Sequence, residues 1–214
     1  MVPDISETLD ALLARYVAGS LPAPVRVLVE SHLAIKPESR AFVSRLEVLA
    51  GGELTGAEPV PLGGRQDRLD AIFASPAPAI SGRRNESPGI LPRPLVDFVG
   101  FEEADIPWRT KLPGFKEYAL GEIDGCNASL FWLRPGRAIP DHTHDGSELF
   151  LVLDGAFNDQ RGRFARGDIS IADETVDHRP VAETDRPCIG FLVSDGGLRL
   201  TGPLHRKLTD IVGF

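Results

Sequence analysis

The sequence predicts an α+β chain in two parts: a small N-terminal helical bundle, then a C-terminal antiparallel β-barrel or sandwich. Three observations predict it. Apolar residues recur at helical spacing through residues 1–75 and then cease to do so. Residues 94–214 carry short apolar runs bounded by Gly, Asp and Pro, with no intervening helical pattern. Between the two lies SPAPAISGRRNESPGILPRP, whose Pro, Ser and Gly content fits a semi-extended linker over residues 76–93.

The elements follow in order. Asp4 and Glu7 are spaced as a capping box and predict a helix starting at Asp4, with Ile5, Leu9, Leu12, Leu13, Tyr16 and Val17 at helical spacing and Gly19 as its stop. A second helix follows Pro22 and Pro24, with Val25, Leu28, Val29 and Leu33 on one side. Pro37 opens a third in its first turn, where the missing N–H costs little; Phe42, Leu46 and Leu49 form its stripe and Gly51-Gly52 is its expected end. RQDRLDAIFAS reads as a short fourth helix with Leu69, Ile72 and Phe73 apolar. So few short helices make a very small core for an independent unit, which would gain from a metal, a partner or the neighbouring part. In the second part, SLFWLRPG, ELFLVLDG, DISIAD and CIGFLVSDG are the strand-like runs.

Composition narrows the function. The 214 residues are 42% hydrophobic and 25% charged, as in a soluble globular protein. No apolar run reaches the ~18–20 residues that span a bilayer, and the acidic start MVPDISETLD lacks the basic and apolar regions of a signal peptide. A cytoplasmic protein without membrane contact is expected. The net charge is −8, and neither half is basic, which disfavours direct nucleic-acid binding. Cys126 and Cys188 are the only cysteines, and two buried thiols are expected rather than a disulfide framework. His205, near the C-terminus, reads as a surface residue.

The chemistry concentrates in His142, His144 and Glu148, with His178 thirty-four residues after His144. Residues i and i+2 of a strand face one side, so His142 and His144 both turn inward. Glu148 opens the next apolar run after the Asp145-Gly146 turn, and His178 comes from another strand to close the set. Imidazole and carboxylate ligands suit zinc, iron, manganese, nickel or copper. Four protein ligands complete a tetrahedral zinc, whereas a catalytic zinc usually keeps one position open. Iron or manganese would retain two more positions.

These residues carry a resemblance. Gly136, His142, His144, Glu148 and Gly155 match the first cupin motif in order and spacing. Gly167, Asp168 and His178 match the second, although Asp173 and Thr175 stand where many cupins have Pro and Gly. The fold implied is a cupin, a jelly-roll type of β-barrel. Over nearly the whole chain, LDALLARYVAGSL, SHLAIKPESR, PDHTHDGSELFLVLDGAF, RFARGDISIAD and DHRPVAE resemble the ChrR family of anti-sigma factors. The resemblance implies that the helical part binds and masks an extracytoplasmic-function sigma factor. It also implies that a cupin holding zinc through His142, His144, Glu148 and His178 is needed to release that factor under oxidative stress such as singlet oxygen.

The helical part departs from its family in one respect. The family pattern there is a His and an H-x3-C-x2-C run that hold zinc. Here His32 remains, Lys36 and Ser39 occupy the cysteine positions, and Glu7 the first histidine position. No metal is expected in this part, and His32 is expected to be an ordinary helix residue.

Two functions from different classes follow. In the first, a transcription regulator presents apolar helix residues to the sigma factor, with Leu12, Leu13, Tyr16, Leu28, Leu46, Ile72 and Phe73 as candidates, although helical apolar stripes more often form core. The fourth helix, set off by long loops, has the strongest claim. In the second, a metal-dependent cupin enzyme of dioxygenase type acts on a dicarbonyl or similar small substrate, with Trp132, Phe150 and Phe191 as candidate pocket residues and Asp145 and Asp177 read as turn residues. A cupin cavity that senses a small ligand overlaps the first reading.

Overall fold

A computed structural model describes residues 8–76 and 89–201. Asp4, Ile5, Glu7, His205 and most of the 76–93 segment lie outside the described residues.

Helix α1 runs from Leu9 to Val17, and the Thr8 hydroxyl caps it by accepting the Ala11 N–H at 3.4 Å. Helix α2 spans Ala23–Ile35 with Pro24 in its first turn. Lys36 separates it from α3, Pro37–Thr55. The expected stop at Gly51-Gly52 does not occur. A helical Gly costs about 1 kcal/mol relative to Ala, which weakens a helix without ending it. Here α3 runs through both glycines, and the Thr55 hydroxyl donates to the Gly52 carbonyl at 2.7 Å in the last turn. Helix α4 is Arg65–Ala74 and buries none of its residues. A fifth helix, α5 (Arg93–Val99), occupies the border expected to pass from linker to strand. Seven residues with proline in the first turn give too little periodicity to read in sequence.

The strands are β1 (Arg109–Leu112), β2 (Phe115–Ile123), β3 (Cys126–Leu133), β4 (His142–His144), β5 (Glu148–Asp154), β6 (Ala156–Asp159), β7 (Gly162–Ala165), β8 (Ile169–Ala172), β9 (Val181–Ala182), β10 (Cys188–Ser194) and β11 (Leu198–Leu200). They form a six-stranded sheet in the order β1-β2-β3-β10-β5-β8, a three-stranded sheet β7-β6-β9 and a pair β11-β4, with every pairing antiparallel.

The period-2 alternation of the large sheet decides what each face meets. Leu149, Leu151 and Leu153 of β5, with Ile189, Phe191 and Val193 of β10, join one hydrophobic cluster with Leu12, Leu13, Leu28 and Leu33 of the helices and Leu95 of α5. Helix α2 lies on β5 and β10 and also contacts α5. The helical part therefore covers one face of the sheet. Full burial of a residue such as Leu28 stabilises by roughly 2 kcal/mol. The other face looks into the barrel, where Leu133, Val152, Phe157 and Cys188 form a second cluster with Phe150 against it. A Cβ at position 190 would fall 2.0 Å from the Phe150 ring; only glycine leaves room for that ring to cross β10.

Candidate metal centre

Backbone pairing assembles the site. His142 and His178 form an isolated antiparallel bridge, with N–H to carbonyl distances of 3.0 and 2.9 Å in the two directions. His144, two residues along β4, faces the same way, and β4 is held by β11 through the His144–Leu198 and His142–Leu200 pairs. Glu148 opens β5 and stands between Ser194 of β10 and Ala172 of β8. Even-numbered residues of β5 face the barrel interior, so Glu148 does as well. The ligating atoms of His142, His144, Glu148 and His178 all lie within 4.8 Å of one another, and all four residues are buried.

Hydrogen bonds assign the ring nitrogens. His142 donates its Nδ1–H to the Pro140 carbonyl at 2.8 Å, leaving Nε2 as the lone-pair atom. His178 Nδ1 is 3.0 Å from Asp159 Oδ2 and 3.1 Å from Arg161 Nη2. The two Nη2 protons are already used by Asp159 Oδ2 at 2.6 Å and Ser170 Oγ at 2.7 Å. The His178 Nδ1–H therefore donates to Asp159, and its Nε2 faces His144 Nε2 at 3.2 Å. Two nitrogen atoms this close need a proton or a cation between them.

Electrostatics keep the imidazoles neutral. Burial pushes His142 down to about 4, and burial with the neighbouring His142 and His178 pushes His144 down to about 3. Burial also lowers His178, although Asp159 opposes the shift. All three imidazoles are thus neutral at physiological pH, the form that ligates. Burial raises the Glu148 carboxyl to about 7, with Arg161 opposing. Burial by itself would raise Asp159 too, but hydrogen bonds from Arg161 and His178 outweigh it and hold that carboxyl below its ordinary range. The donor set, three neutral nitrogens and one carboxylate, fits one metal ion and rejects protonated imidazole.

Asp159 and Arg161 support His178 at the candidate site, and the sequence does not single them out. The Asp159 side chain is fully buried, and Arg161 clamps it while also donating to the Ile171 carbonyl at 2.6 Å. Nothing marks them in the sequence, because they lie on a hairpin turn far from each ligand. Asp159→Asn is expected to lower metal affinity about 10–100-fold, the usual cost of losing the residue that orients a ligating His; competition with a chromophoric chelator would measure it.

A cavity of about 430 Å³ adjoins the site and reaches His144 and Glu148. Its apolar walls include Phe115, Phe131, Leu133 and Leu192. None of the three expected pocket aromatics lines it. Strand parity puts Phe191 in the cluster beneath the helices and Trp132 against that same cluster, while Phe150 packs between Phe131 and Phe157. Asp145 pairs with Arg199 and Asp177 accepts from Thr201, so neither is aimed at the ligands.

The remaining candidates separate by exposure. Leu12, Leu13 and Leu28 are core residues at 1%, 2% and 0% exposure. Presenting them to a partner would mean opening the shared core. Tyr16 and Leu46 are half-buried. Ile72 and Phe73 are 65% and 81% exposed. Cys126 and Cys188 are both buried, and burial pushes the Cys188 thiol up to about 12. Cys188 is therefore expected to resist iodoacetamide at pH 8 in the folded protein and to react only in denaturant; rapid labelling of the native chain would contradict this.

Comparison with known proteins follows the same division. The family model described as ChrR Cupin-like domain matches residues 97–196. The anti-sigma-E factor ChrR of Cereibacter sphaeroides is 39% identical over 202 residues, covering 92% of each chain. The crystal structure of Rhodobacter sphaeroides SigE in complex with the anti-sigma ChrR matches with a TM-score of 0.75 at 37% identity, over 88% of this chain and 98% of the matched one. Among the described residues no helix is long and apolar enough to cross a membrane.

Proposed function

This chain belongs to the ChrR family of anti-sigma factors, and from that premise we propose that its helical part, residues 1–75, binds an extracytoplasmic-function sigma factor. Residues 94–214, the metal-binding cupin, govern release under oxidative stress such as singlet oxygen, and residues 76–93 link the two.

One observation carries the reading. Every large hydrophobic residue that is strongly exposed, among the described residues, falls between positions 48 and 73: Val48, Leu49, Leu54, Val60, Leu62, Ile72 and Phe73. The described residues of the barrel have none. Apolar surface concentrated in one stretch marks a site for a protein partner. The contact set is therefore the outer end of α3, the loop bearing Val60 and Leu62, and the end of α4 bearing Ile72 and Phe73, while Leu12, Leu13 and Leu28 hold the core beneath. A sigma factor with apolar helix surfaces is the partner that family membership favours.

Zinc is the proposed metal, because three His and one Glu complete its tetrahedral shell. Held through His142, His144, Glu148 and His178, it would supply a fixed charge that ties β4, β5 and the His178 segment together. Elemental analysis is expected to find about one zinc per chain. Calorimetry of the full chain with its cognate sigma factor is expected to give a 1:1 complex, and absence of binding would sink the anti-sigma reading.

The cavity beside His144 and Glu148 favours one second reading, a metal-dependent enzyme of dioxygenase type. Metal-dependent consumption of dioxygen with a dicarbonyl compound would support it.

A further inference from the structure

Away from the metal centre, the junction between α2 and α3 grips the turn that leads into β8. His32 is buried, and both of its nitrogens are engaged. Its Nδ1–H donates to the Gly167 carbonyl at 2.7 Å, since a carbonyl only accepts. That fixes the neutral tautomer, and the Ser39 hydroxyl donates to Nε2 at 2.9 Å. Lys36, the residue between the two helices, places its Nζ 3.0 Å from Asp168 Oδ1.

The turn they grip is itself hydrogen-bonded to β5. The Gly167 N–H donates to the Val152 carbonyl at 2.8 Å, the Val152 N–H to the Asp168 carbonyl at 3.0 Å, and the Ala165 N–H to Asp168 Oδ2 at 2.8 Å. The approach of the two parts is close. Gly167 has φ +88°, and a Cβ there would fall 2.7 Å from Lys36 Cγ and 2.8 Å from Ile35 Cγ2. A side chain at this position would be strained and would also push α2 away.

We propose that His32, Lys36 and Ser39, closing on Gly167 and Asp168, form a metal-free polar lock that fixes the α2–α3 junction to the barrel. Metal ligation is the competing use of the same side chains, and the geometry opposes it. No lone pair of His32 is free, Ser39 is committed to it, and the Lys36 ammonium repels a cation. The lock joins residues 135 positions apart in sequence, and α3 starts directly from it. Opening it frees the origin of α3 from the sheet while the core beneath α2 stays closed. The strand that follows the gripped turn, β8, supplies the Ser170 hydroxyl and Ile171 carbonyl that hold Arg161 beside His178. One turn and the short strand that follows it thus bear, in turn, the lock and the support of the metal centre. That opening alters partner affinity rests on the anti-sigma reading; the lock itself does not.

Hydrogen exchange on the full-length, metal-loaded chain tests it without any partner. In Lys36→Met and in Asp168→Asn, amides in residues 36–42 and 165–168 are expected to exchange at least about tenfold faster, with β10 amides unchanged. The double variant is expected to match Asp168→Asn, because the ion pair that Lys36→Met removes is one that Asp168→Asn removes as well. Ser39→Ala, the mildest change, should speed exchange only near residues 32–40. Unchanged exchange in the single variants, or fully additive losses in the double, would overturn the lock. So would a second equivalent of zinc taken up by the wild-type chain and lost in His32→Gln.

Discussion

Replacing His142 and His178 together by alanine is expected to abolish metal binding, with affinity falling by far more than the ~10–100-fold typical of residues that only orient a ligand. The two residues form the backbone bridge between β4 and the segment before β9, and the substitution leaves that bridge intact because its hydrogen bonds are main-chain. The barrel should still fold, at lower stability. Metal present at about a thousand times its dissociation constant contributes about 4 kcal/mol. For a chain of this size that corresponds to a fall of roughly 8–16 °C in Tm. Chelation of the wild type should reproduce the shift and leave the double variant unmoved. The affinity should also depend on pH with a definite sign. Glu148 has its carboxyl raised to about 7 by burial, whereas His142 and His144 titrate only near 4 and 3. Between pH 5 and 7 metal uptake must displace a proton from Glu148 and none from these two imidazoles. Apparent affinity should weaken about tenfold per unit as pH falls below 7 and level off above it. A slope near three protons per metal would show that the imidazoles are protonated in the free protein.

Ile72→Asp with Phe73→Asp is expected to weaken sigma-factor binding by at least about 30-fold, the effect of losing an interface residue worth about 2 kcal/mol or more. Both side chains are mostly exposed, so the thermal transition should stay within about 1–2 °C of wild type. Leu28→Ala serves as the contrast. Its side chain is fully buried beneath the helical layer, and its loss should cost about 2–5 kcal/mol of stability. Any change in partner affinity would then follow from unfolding. Unaltered binding by the Ile72/Phe73 variant would move the interface elsewhere and remove the reason for assigning it to α4.

How much of this was legible beforehand depended on whether a signal was local. The ligand set was legible because i, i+2 spacing on a strand already puts two imidazoles on one face, and few structural needs place three His and a Glu so regularly. The strong strands β3, β5, β8 and β10 announced themselves as apolar runs. The strands β1, β6, β7 and β9 did not, since runs of only two to four residues carry too little alternation to read and form only through pairing. Helix α3 outran its glycines because helical propensity is a weak local preference. Asp159 and Arg161 reach His178 across a hairpin, a proximity no sequence spacing encodes.

The sequence by itself determined the helices-then-strands order of the chain and singled out His142, His144, Glu148 and His178 as one candidate ligand set. Those are facts of residue type and local periodicity. The tertiary structure alone decided which apolar helix residues are core and which remain exposed. An amphipathic stripe states that a face is apolar, and only packing against a sheet states which part of it gets covered. Leu12, Leu13 and Leu28 fell under that cover and Ile72 and Phe73 outside it. It also decided the role of His32, which reads as an ordinary helix residue until Gly167 is brought within 2.7 Å of its ring.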